Sequence, residues 1–476
     1  MQSLWSKTIQ LPRRESLQGD ISVENVVIGA GLAGLLTAYF LQKKGKQVIV
    51  LEAARIAGGQ TQNTTAKLTS QHGLIYDEMI KKAGKDRAMG YAMANESAVN
   101  AYEKLIKEEG ISCDFERLPS FLYTTNPSEV HKLRQEAQAA AALGLPAHFM
   151  EQDGKKELPF AVEGAVCFEN QAQFHPLKLI QALAPKLTIY ENTNVLSVKQ
   201  YRIIYQRTAD REQPDSKEGL DNSSSRKTGV ITAGNIVFAT HYPFLIIPGF
   251  YFLRQHQERS YVLALEGDGV PRRLSGIYYG IGQGGLSFRS AGGKLLLGGG
   301  SRRTGKKECA CAETGYSYLR KQAQTYYPKA QEKACWAAQD CMTHDRIPFI
   351  GKYSVFRSYW YTATGFGKWG MTASMLAALI ISDMICGSLN PYQGIFSPQR
   401  FLLRAGIKNF LIDAGESAAG LTKGFFGGKQ TRCTHMGCRL TWNEEERSWD
   451  CPCHGSRYDE KKNVLDNPAQ PESSTN

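Results

Sequence analysis

The stretch Val26-Val-Ile-Gly29-Ala-Gly31-Leu-Ala-Gly34 decides the fold of the larger part of this chain. A short apolar run leads into glycines spaced as Gly-x-Gly-x-x-Gly, and an apolar pattern of helical period follows. Gly29 permits a tight turn, Gly31 lets the backbone approach a pyrophosphate, and Gly34 lets helix and strand pack closely. The N-terminus of the helix then faces the phosphates. The stretch therefore predicts a strand, a turn and a helix that bind a dinucleotide.

A second apolar run, Val48 to Leu51, follows the helical stretch and ends in Glu52. A carboxylate at this position of a strand-helix-strand unit can bind ribose hydroxyls. A lone glycine motif is weak, because the spacing also arises by chance. Here the strand, the helix and the acidic residue all lie where dinucleotide binding needs them, which disfavours an accidental match.

Near the other end of the chain, Cys433-Thr-His435 and Cys451-Pro-Cys-His454 are two short motifs separated by fifteen residues. Two thiolates can hold one iron of a [2Fe-2S] cluster while two neutral imidazoles hold the other. A structural zinc site with two cysteines and two histidines is the alternative. Zinc motifs normally use Cys-x2-Cys or His-x3-His spacing, so the Cys-x-His spacing favours iron. The expected ligands are Cys433, His435, Cys451 and His454.

The second motif continues as Gly455-Ser456-Arg457-Tyr458, and with this continuation the segment resembles Rieske proteins of the respiratory type. The resemblance implies a disulfide between Cys438 and Cys453 that links the two cluster loops. It also implies that the hydroxyls of Ser456 and Tyr458 donate hydrogen bonds to cluster sulfurs. Such donors raise the reduction potential toward the upper part of the Rieske range.

Two further segments favour FAD over NAD. A polar, glycine-bearing loop over 53–69 follows the acidic residue, and a late segment runs from Asp345 through a glycine turn at 365–370 into an apolar helix. The chain thereby resembles bacterial FAD-dependent oxidoreductases of the D-amino-acid-oxidase-like family that carry a C-terminal Rieske [2Fe-2S] domain. The helix that begins near Gly370 would point its positive end at the flavin. The cofactor-binding residues that we expect on this basis are Gly29, Gly31, Gly34, Glu52, Gly59, Thr65, Val195, Gly365, Gly367, Gly370, Met371 and Thr372.

The resemblance also implies the domain organisation. We expect an α/β fold with an FAD-binding Rossmann-like domain of the glutathione-reductase type, an α+β substrate domain, and a small, abridged all-β Rieske domain. We expect an FAD-dependent oxidoreductase over 1–395, a linker over 396–428 and a Rieske segment over 429–476. Within the oxidoreductase, the expected FAD-binding segments are 24–76, 171–241 and 341–387. The expected substrate-domain segments are 77–170 and 242–340.

Local patterns give further expectations. His175-Pro176 predicts the start of a helix, because proline is favoured in the first helical turn. The stretches 77–109 and 128–143 have strong helix propensity. The stretch 188–198 predicts one strand, and polar residues over 207–228 predict a hairpin tip.

The composition is that of a globular enzyme, with 476 residues of which 42% are hydrophobic and 21% charged. The net charge is +12, but the basic residues are scattered, which favours a solvated surface over a nucleic-acid site and leaves peripheral membrane contact open. The apolar stretch Met371 to Cys386 contains Asp383 and is short for a membrane span. We expect a cytoplasmic protein, because residues 1–20 lack a signal peptide and the cysteines outside the cluster motifs are scattered.

The two expected cofactors join a two-electron carrier to a one-electron carrier. We therefore expect a dehydrogenase that oxidises a small amine, amino acid or related molecule and passes electrons singly to the cluster and then to an external redox protein or quinone. One alternative is an oxidase that uses oxygen and has a vestigial or structural metal-binding C-terminus, and another is a metal-stabilised binding module without enzymatic activity. The candidate catalytic residues are Lys67, His72 and Thr372, and the further pocket candidates are Tyr261, Arg289 and Arg302.

Overall fold

The computed structural model of the chain describes residues 2–151, 157–208, 228–282, 284–306, 315–400, 415 and 432–470. Most of the expected hairpin tip at 207–228 and most of the expected linker at 396–428 lie outside the described residues. The helices are α1 Leu4–Thr8, α2 Leu32–Lys43, α3 Gln60–Asn63, α4 Tyr76–Ala83, α5 Lys85–Glu108, α6 Val130–Ala142, α7 Pro176–Leu183, α8 Gly315–Tyr326, α9 Gly370–Ile385 and α10 Gln393–Phe396. The strands are β1 Ile21–Ile28, β2 Val48–Leu51, β3 Lys67–Leu68, β4 Glu116–Thr124, β5 Ala147–Glu151, β6 Gly164–Gln173, β7 Ile189–Tyr190, β8 Thr193–Lys199, β9 Arg202–Arg207, β10 Thr228–Phe238, β11 Gln255–Gly267, β12 Ile277–Gly280, β13 Ser287–Ala291, β14 Lys294–Arg303, β15 Ala330–Thr343, β16 Phe349–Ser354, β17 Arg357–Thr364, β18 Thr441–Asn443, β19 Ser448–Asp450, β20 Arg457–Tyr458 and β21 Val464–Asp466.

The first sheet has eight strands, with the central order β16-β17-β10-β1-β2-β7. Strand β1 is parallel to β2 and β10, and β10 is parallel to β17. Val26 and Val27 point to opposite faces of β1, and both are fully buried. A parallel strand covered on both faces needs apolar residues at consecutive positions, which explains the unbroken apolar run before the glycines.

The turn after β1 brings helix and strand into close contact. Gly29 has a φ of 105°, and a Cβ on Gly34 would lie 2.0 Å from the Gly29 carbonyl oxygen. Helices α2 and α9 share one apolar core against the sheet. The predicted helix start at His175-Pro176 is confirmed, because α7 begins at Pro176 and the His175 side chain accepts a hydrogen bond from the Lys178 amide at 3.3 Å.

The second sheet has nine strands in the order β15-β11-β14-β13-β12-β4-β6-β3, with β5 beside β6. Its neighbouring strands are antiparallel except for β12 and β4. Helix α6 packs on β5 and β6, and α8 packs on β11 and β14. The residues of β3 pair with β6 and so join this sheet, although they lie within the segment 24–76 expected for FAD binding.

Positive φ angles interrupt two of the predicted elements. The predicted helix over 77–109 is divided into α4 and α5 at Gly84, whose φ is 88°. The prediction of one strand over 188–198 was wrong, because Asn192, with a φ of 48°, separates β7 from β8. A positive φ departs from regular helix and strand geometry, and at these two positions the element ends.

The third sheet is small and antiparallel, with the order β18-β19-β20-β21. The buried core beside it consists of four cysteines and three other residues, Leu440, Tyr458 and Ala469. A core of this size is too small to stabilise an independent domain. Within the described residues, no helix combines the length and apolarity needed to span a bilayer.

We predict that Gly34→Ala lowers stability by about 1–3 kcal/mol, because the added methyl group must push α2 away from the turn. Urea unfolding measures the loss. Gly394→Ala is the matched control, since an added Cβ there meets no atom within 4 Å. Equal stability of the two variants would contradict the close packing at Gly34.

Candidate functional site

A cavity of about 1130 Å³ lies where the first sheet meets the loops that follow its strands. This volume exceeds the ~300–1,000 Å³ that is usual for ligand pockets, so it suits a large cofactor. The expected cofactor-binding residues that line the cavity are Gly29, Gly31, Glu52, Gly59, Val195, Gly367, Gly370 and Met371.

The lining residues fit a dinucleotide. The Glu52 carboxylate accepts hydrogen bonds from the amides of Ala30 and Ala54, each at 2.9 Å, which fix it at the end of β2. Burial raises the pKa of Glu52. The N-terminus of α2 and the glycine backbone suit phosphate groups, and the N-terminus of α9 opens on the same cavity at Gly370.

Four expected cofactor-binding residues do not line this cavity. Gly34 packs helix against strand, and the Thr65 carbonyl accepts a hydrogen bond from Arg289. The Thr372 hydroxyl donates to the Thr69 carbonyl at 2.9 Å, which ties α9 to the loop after β3. Gly365 lines a second cavity instead.

The second cavity has a volume of about 310 Å³ and shares Gly367 and Lys368 with the first. Its walls are aromatic. The Trp369 ring stacks on His72 with centroids 4.7 Å apart and meets the edge of Tyr279 at 5.6 Å. The small cavity therefore has aromatic rings in its wall and lies next to the larger one, with which it shares two wall residues.

His72 shapes this pocket with a neutral ring. Its Nε2 donates to the Thr69 carbonyl at 2.7 Å, and its Nδ1 accepts from the Tyr91 hydroxyl at 2.6 Å. Burial lowers the pKa of His72 to about 3. Both ring nitrogens are engaged, so the ring is poorly placed to exchange a proton with a substrate.

Lys67 lies behind the same wall. Its side chain is buried, and Nζ lies 5.7 Å from the centroid of the Tyr279 ring. Burial, together with the charge of Arg289, lowers the pKa of Lys67 to about 7. A substantial fraction of this amine is therefore neutral near pH 7 and able to accept a proton.

Lys368 is a functional candidate that the sequence reasoning missed. It stands where the two cavities meet, with Nζ 3.3 Å from a Glu258 carboxylate oxygen and 2.9 Å from the Ser301 hydroxyl. Although burial acts in the opposite direction, a hydrogen bond with His256 and the charge of Lys368 lower the pKa of Glu258 to about 2. In the sequence, Lys368 could have been found as the basic residue within the glycine turn at 365–370.

The remaining pocket candidates have other partners. Arg289 donates to Gln173 at 2.8 Å and to the Phe174 carbonyl at 3.0 Å. Arg302 lies over the Tyr261 ring and donates to Asn443 at 3.0 Å. Asn443 belongs to residues 432–470, which carry the two cysteine-histidine motifs and are called the cluster segment. Among the described residues, Tyr261, Arg289 and Arg302 are not part of either cavity wall.

The two cysteine-histidine motifs form loops of the same geometry. The Cys433 amide donates to the Cys438 carbonyl at 2.9 Å, and the Cys451 amide donates to the Ser456 carbonyl at 2.8 Å. In each loop a later glycine amide also donates back to the first cysteine carbonyl. The two loops thus share a backbone hydrogen-bond pattern, although the histidine follows the first cysteine by two residues in one loop and by three in the other.

The four expected ligands meet in two pairs, one of histidines and one of cysteines. The rings of His435 and His454 lie 5.0 Å apart between centroids, and a hydrogen bond with Cys451 contributes to the raised pKa of Cys433. Burial lowers the pKa of His435 to about 4, and its buried Nδ1 has no hydrogen-bond partner among the described residues. A neutral imidazole nitrogen without a partner fits a metal ligand.

The other two loop cysteines lie beside this group. The Sγ atoms of Cys438, Cys451 and Cys453 are within 4.8 Å of one another. Cys438 and Cys453 are free thiols in the structure, so the disulfide stays a prediction.

The expected hydroxyl donors differ in their contacts. The Tyr458 hydroxyl donates to Cys433 Sγ at 3.2 Å and accepts from the Thr434 amide at 2.8 Å. The Ser456 oxygen accepts from the Ala469 amide at 3.0 Å. Tyr458 therefore contacts an expected ligand sulfur directly, whereas donation by Ser456 to a cluster sulfur stays a prediction.

The cluster segment docks against the large cavity. The Gln257 amide donates to the His454 carbonyl at 2.7 Å and to the Asn467 carbonyl at 3.0 Å. The Gln339 amide donates to the Gly455 carbonyl at 2.7 Å. The cluster-segment residues that line the cavity are Val464, Leu465, Asp466, Asn467, Ala469 and Gln470.

A buried ionic group reinforces this contact. Arg259 on β11 pairs with Glu446, and Arg457 pairs with Glu446 at 2.8 Å, Asp450 at 3.0 Å and Asp466 at 3.0 Å. Although burial acts in the opposite direction, Arg259 and Arg457 lower the pKa of Glu446 to about 2. Removing one partner of a buried pair costs about 3–5 kcal/mol, so this group specifies how the segment docks.

Comparison with known proteins assigns a family to each of the two parts of the chain. The family model for FAD dependent oxidoreductases matches residues 25–384, and that for the Rieske [2Fe-2S] domain matches residues 422–475. YhfW of Bacillus subtilis (strain 168), whose name describes a Rieske 2Fe-2S iron-sulfur protein, is 33% identical over an alignment that covers 98% of this chain and 96% of that protein.

Two solved structures share the fold of the larger part of the chain. Glycine oxidase from Geobacillus kaustophilus has a TM-score of 0.63 at 17% identity, covering 80% of this chain and 99% of that chain. L-proline dehydrogenase from P. horikoshii has a TM-score of 0.59 at 17% identity, covering 81% of this chain and 98% of that chain.

We predict that Tyr458→Phe lowers the reduction potential of the cluster by roughly 40 mV, because a lost hydrogen bond of ~1 kcal/mol corresponds to that potential for one electron. A redox titration followed by EPR measures the shift, and the iron content should stay unchanged. Tyr326→Phe, on α8, is the control. An unaltered potential in Tyr458→Phe would show that this hydroxyl does not act on the cluster.

Proposed function

Because the chain belongs to the FAD dependent oxidoreductase family and carries a C-terminal Rieske [2Fe-2S] domain, we propose that it is a dehydrogenase that passes electrons singly through the cluster to an external acceptor. The proposed substrate is a small amine, amino acid or related molecule. The proposed domain boundaries are those expected from the sequence, with the oxidoreductase over 1–395 and the Rieske segment over 429–476.

One observation carries the proposal. A single cavity is lined both by the dinucleotide-binding glycines Gly29 and Gly31 and by Asp466 and Asn467 of the cluster segment. Electron transfer between two centres becomes rapidly slower as their separation grows. A cluster segment that forms part of the cofactor cavity therefore supports direct transfer between the two cofactors.

The residues of the chain have distinct proposed roles. When bound, FAD would accept two electrons from a substrate, and the cluster would accept and donate one electron at a time. We assign the N-terminus of α2 to the pyrophosphate, Glu52 to the ribose, and the N-terminus of α9 to the flavin end. The proposed cluster ligands are Cys433, His435, Cys451 and His454, with a disulfide between Cys438 and Cys453.

The small cavity supports an amino acid or amine as substrate. Lys368 and Glu258 present a cation and an anion side by side at its wall. An α-amino acid carries both charges, so this pair suits its carboxylate and ammonium groups. The names of the two structural relatives, an oxidase of glycine and a dehydrogenase of L-proline, are consistent with this substrate class.

The external acceptor is proposed to be a redox protein or a quinone. His454 is buried against the larger part of the protein, whereas His435 is partly exposed, so an acceptor can approach from the His435 side. We propose a cytoplasmic location, which is supported by the free thiol of the buried Cys113.

The test uses the purified holoprotein without air. Small amines and amino acids are screened for bleaching of the flavin absorbance, and EPR then follows the reduced cluster. We expect a Rieske-type signal that grows after bleaching. Protein that repeatedly lacks iron and acid-labile sulfide would overturn the proposal. In a parallel assay in air, steady peroxide production that Cys433→Ala leaves unchanged would favour the oxidase alternative.

A variant of the docking glutamines makes this test sharper. In Gln257→Ala/Gln339→Ala, flavin bleaching should keep its rate, while the EPR signal should grow at least ~10-fold more slowly, because three hydrogen bonds of ~1 kcal/mol each are lost from the docking contact. Gln331→Ala, at an exposed position of the same strand as Gln339, is the control. Equal cluster reduction in all three proteins would show that these amides do not position the cluster.

We predict that Lys67→Met lowers the rate of flavin bleaching and removes its pH dependence near pH 7. Lys67 lines neither cavity, so in this role its amine takes up a proton released in the small cavity without direct contact with the substrate. Below this pH the wild-type amine is protonated, and above it the amine is neutral, so the wild-type rate should rise with pH. Stopped-flow absorbance between about pH 6 and pH 8 measures the profile. Lys81→Met, at an exposed lysine, should behave as wild type. A preserved profile in Lys67→Met would exclude this role.

A further inference from the structure

Exposed apolar side chains are concentrated in one region. Among the described residues, ten large apolar side chains are exposed, and seven of them lie in three short segments, 199–207, 244–254 and 349–359. We call these segments together the apolar face. Val355, Phe356 and Ile247 are the most exposed of its members, at 71%, 74% and 68%. The seven side chains are Tyr201, Ile204, Ile246, Ile247, Phe250, Val355 and Phe356.

The three segments meet in space. The rings of Tyr201 and Tyr359 stack with centroids 3.9 Å apart. The Tyr353 hydroxyl donates to the Leu245 carbonyl at 2.9 Å, and the Tyr251 hydroxyl donates to the Tyr353 carbonyl at 2.8 Å. The segment 349–359 thus joins the other two, and the exposed side chains belong to one continuous surface region.

The charged residues within the three segments are all basic, and the acidic Asp20 lies beside Tyr205 at the edge of the apolar face. Its three segments contain no aspartate or glutamate, and their basic residues are Lys199, Arg202, Arg207, Arg254, Lys352 and Arg357. The whole chain has a net charge of +12. Apolar side chains surrounded by basic ones are the combination by which proteins bind the surface of an anionic bilayer.

We propose that the apolar face docks the protein onto an anionic lipid membrane. Its most exposed residues lie on turns and loops: Val355 and Phe356 join β16 to β17, and Ile247 lies in the loop before β11. Such tips can enter the headgroup region while the neighbouring arginines and lysines contact lipid phosphates. A second copy is disfavoured as the occupant, since a symmetric dimer would bring basic residues against basic residues.

This face reaches the cluster segment. The Phe252 ring, in the same loop as Ile247, lies edge-on to His454 with centroids 5.7 Å apart. A docked protein would therefore hold its cluster segment close to the bilayer. Membrane docking itself does not depend on the redox activity and can be measured without a substrate.

The experiment measures binding of the full-length holoprotein to sedimented vesicles. We expect binding to vesicles of phosphatidylglycerol and phosphatidylcholine, weaker binding to phosphatidylcholine alone, and loss of binding at ~1 M salt. Ile247→Ser/Phe356→Ser should reduce binding at least ~10-fold, because two exposed apolar side chains no longer enter the bilayer. Both residues are exposed, and flavin absorbance with circular dichroism checks that the variant is folded.

Leu389→Ser is the matched control, because Leu389 is 90% exposed and lies outside the apolar face. It should bind vesicles as wild type does. Absence of vesicle binding by the wild type, or equal binding by the double variant, would overturn the proposal. If the double variant instead loses only self-association in light scattering, or only binding to an acidic redox protein, the face is a protein interface and membrane docking is excluded.

Discussion

The docking of a small cluster segment onto a large flavoprotein is the contact on which the rest of this structure depends. The segment has too little apolar core to fold alone, so the body of the protein must supply its missing surface. Buried charges are costly unless they are paired. The pairing of Arg259 with Glu446, and of Glu446 with Arg457, therefore admits few alternative positions for the segment.

This docked arrangement gives the two cofactor sites a common wall. The side-chain amides of Gln257 and Gln339 donate hydrogen bonds to the backbone of one cluster loop. Residues between 464 and 470 of the cluster segment line the dinucleotide cavity. Because these hydrogen bonds go to carbonyl groups, they position the loop without using the side chains that are expected to bind iron. The contacts that stabilise the small sheet are thus the ones that bring the two sites together.

The protonation states of the side chains around the small cavity depend on burial. The stacked rings of Trp369 and His72 form part of the wall of the small cavity, and burial lowers the pKa of His72 to about 3. Burial lowers the pKa of Lys67, whereas Tyr279 and the carboxylates of Glu258 and Asp340 raise the pKa of Lys368 although burial acts in the opposite direction. Two lysines close to one pocket therefore have opposite protonation behaviour, and the difference is the presence of a carboxylate partner.

The sequence by itself determined the family, the two cofactors and the start of α7, because these depend on local motifs. The Gly29 to Gly34 turn and the paired cysteine-histidine loops encode their geometry within a few residues of one another. Only the tertiary structure decided that Thr372 turns to a backbone carbonyl, that Lys368 stands between two cavities, and that Gln257 reaches the cluster loop. Those contacts join residues that are distant along the chain, and they depend on how sheets and loops pack, which no local pattern records.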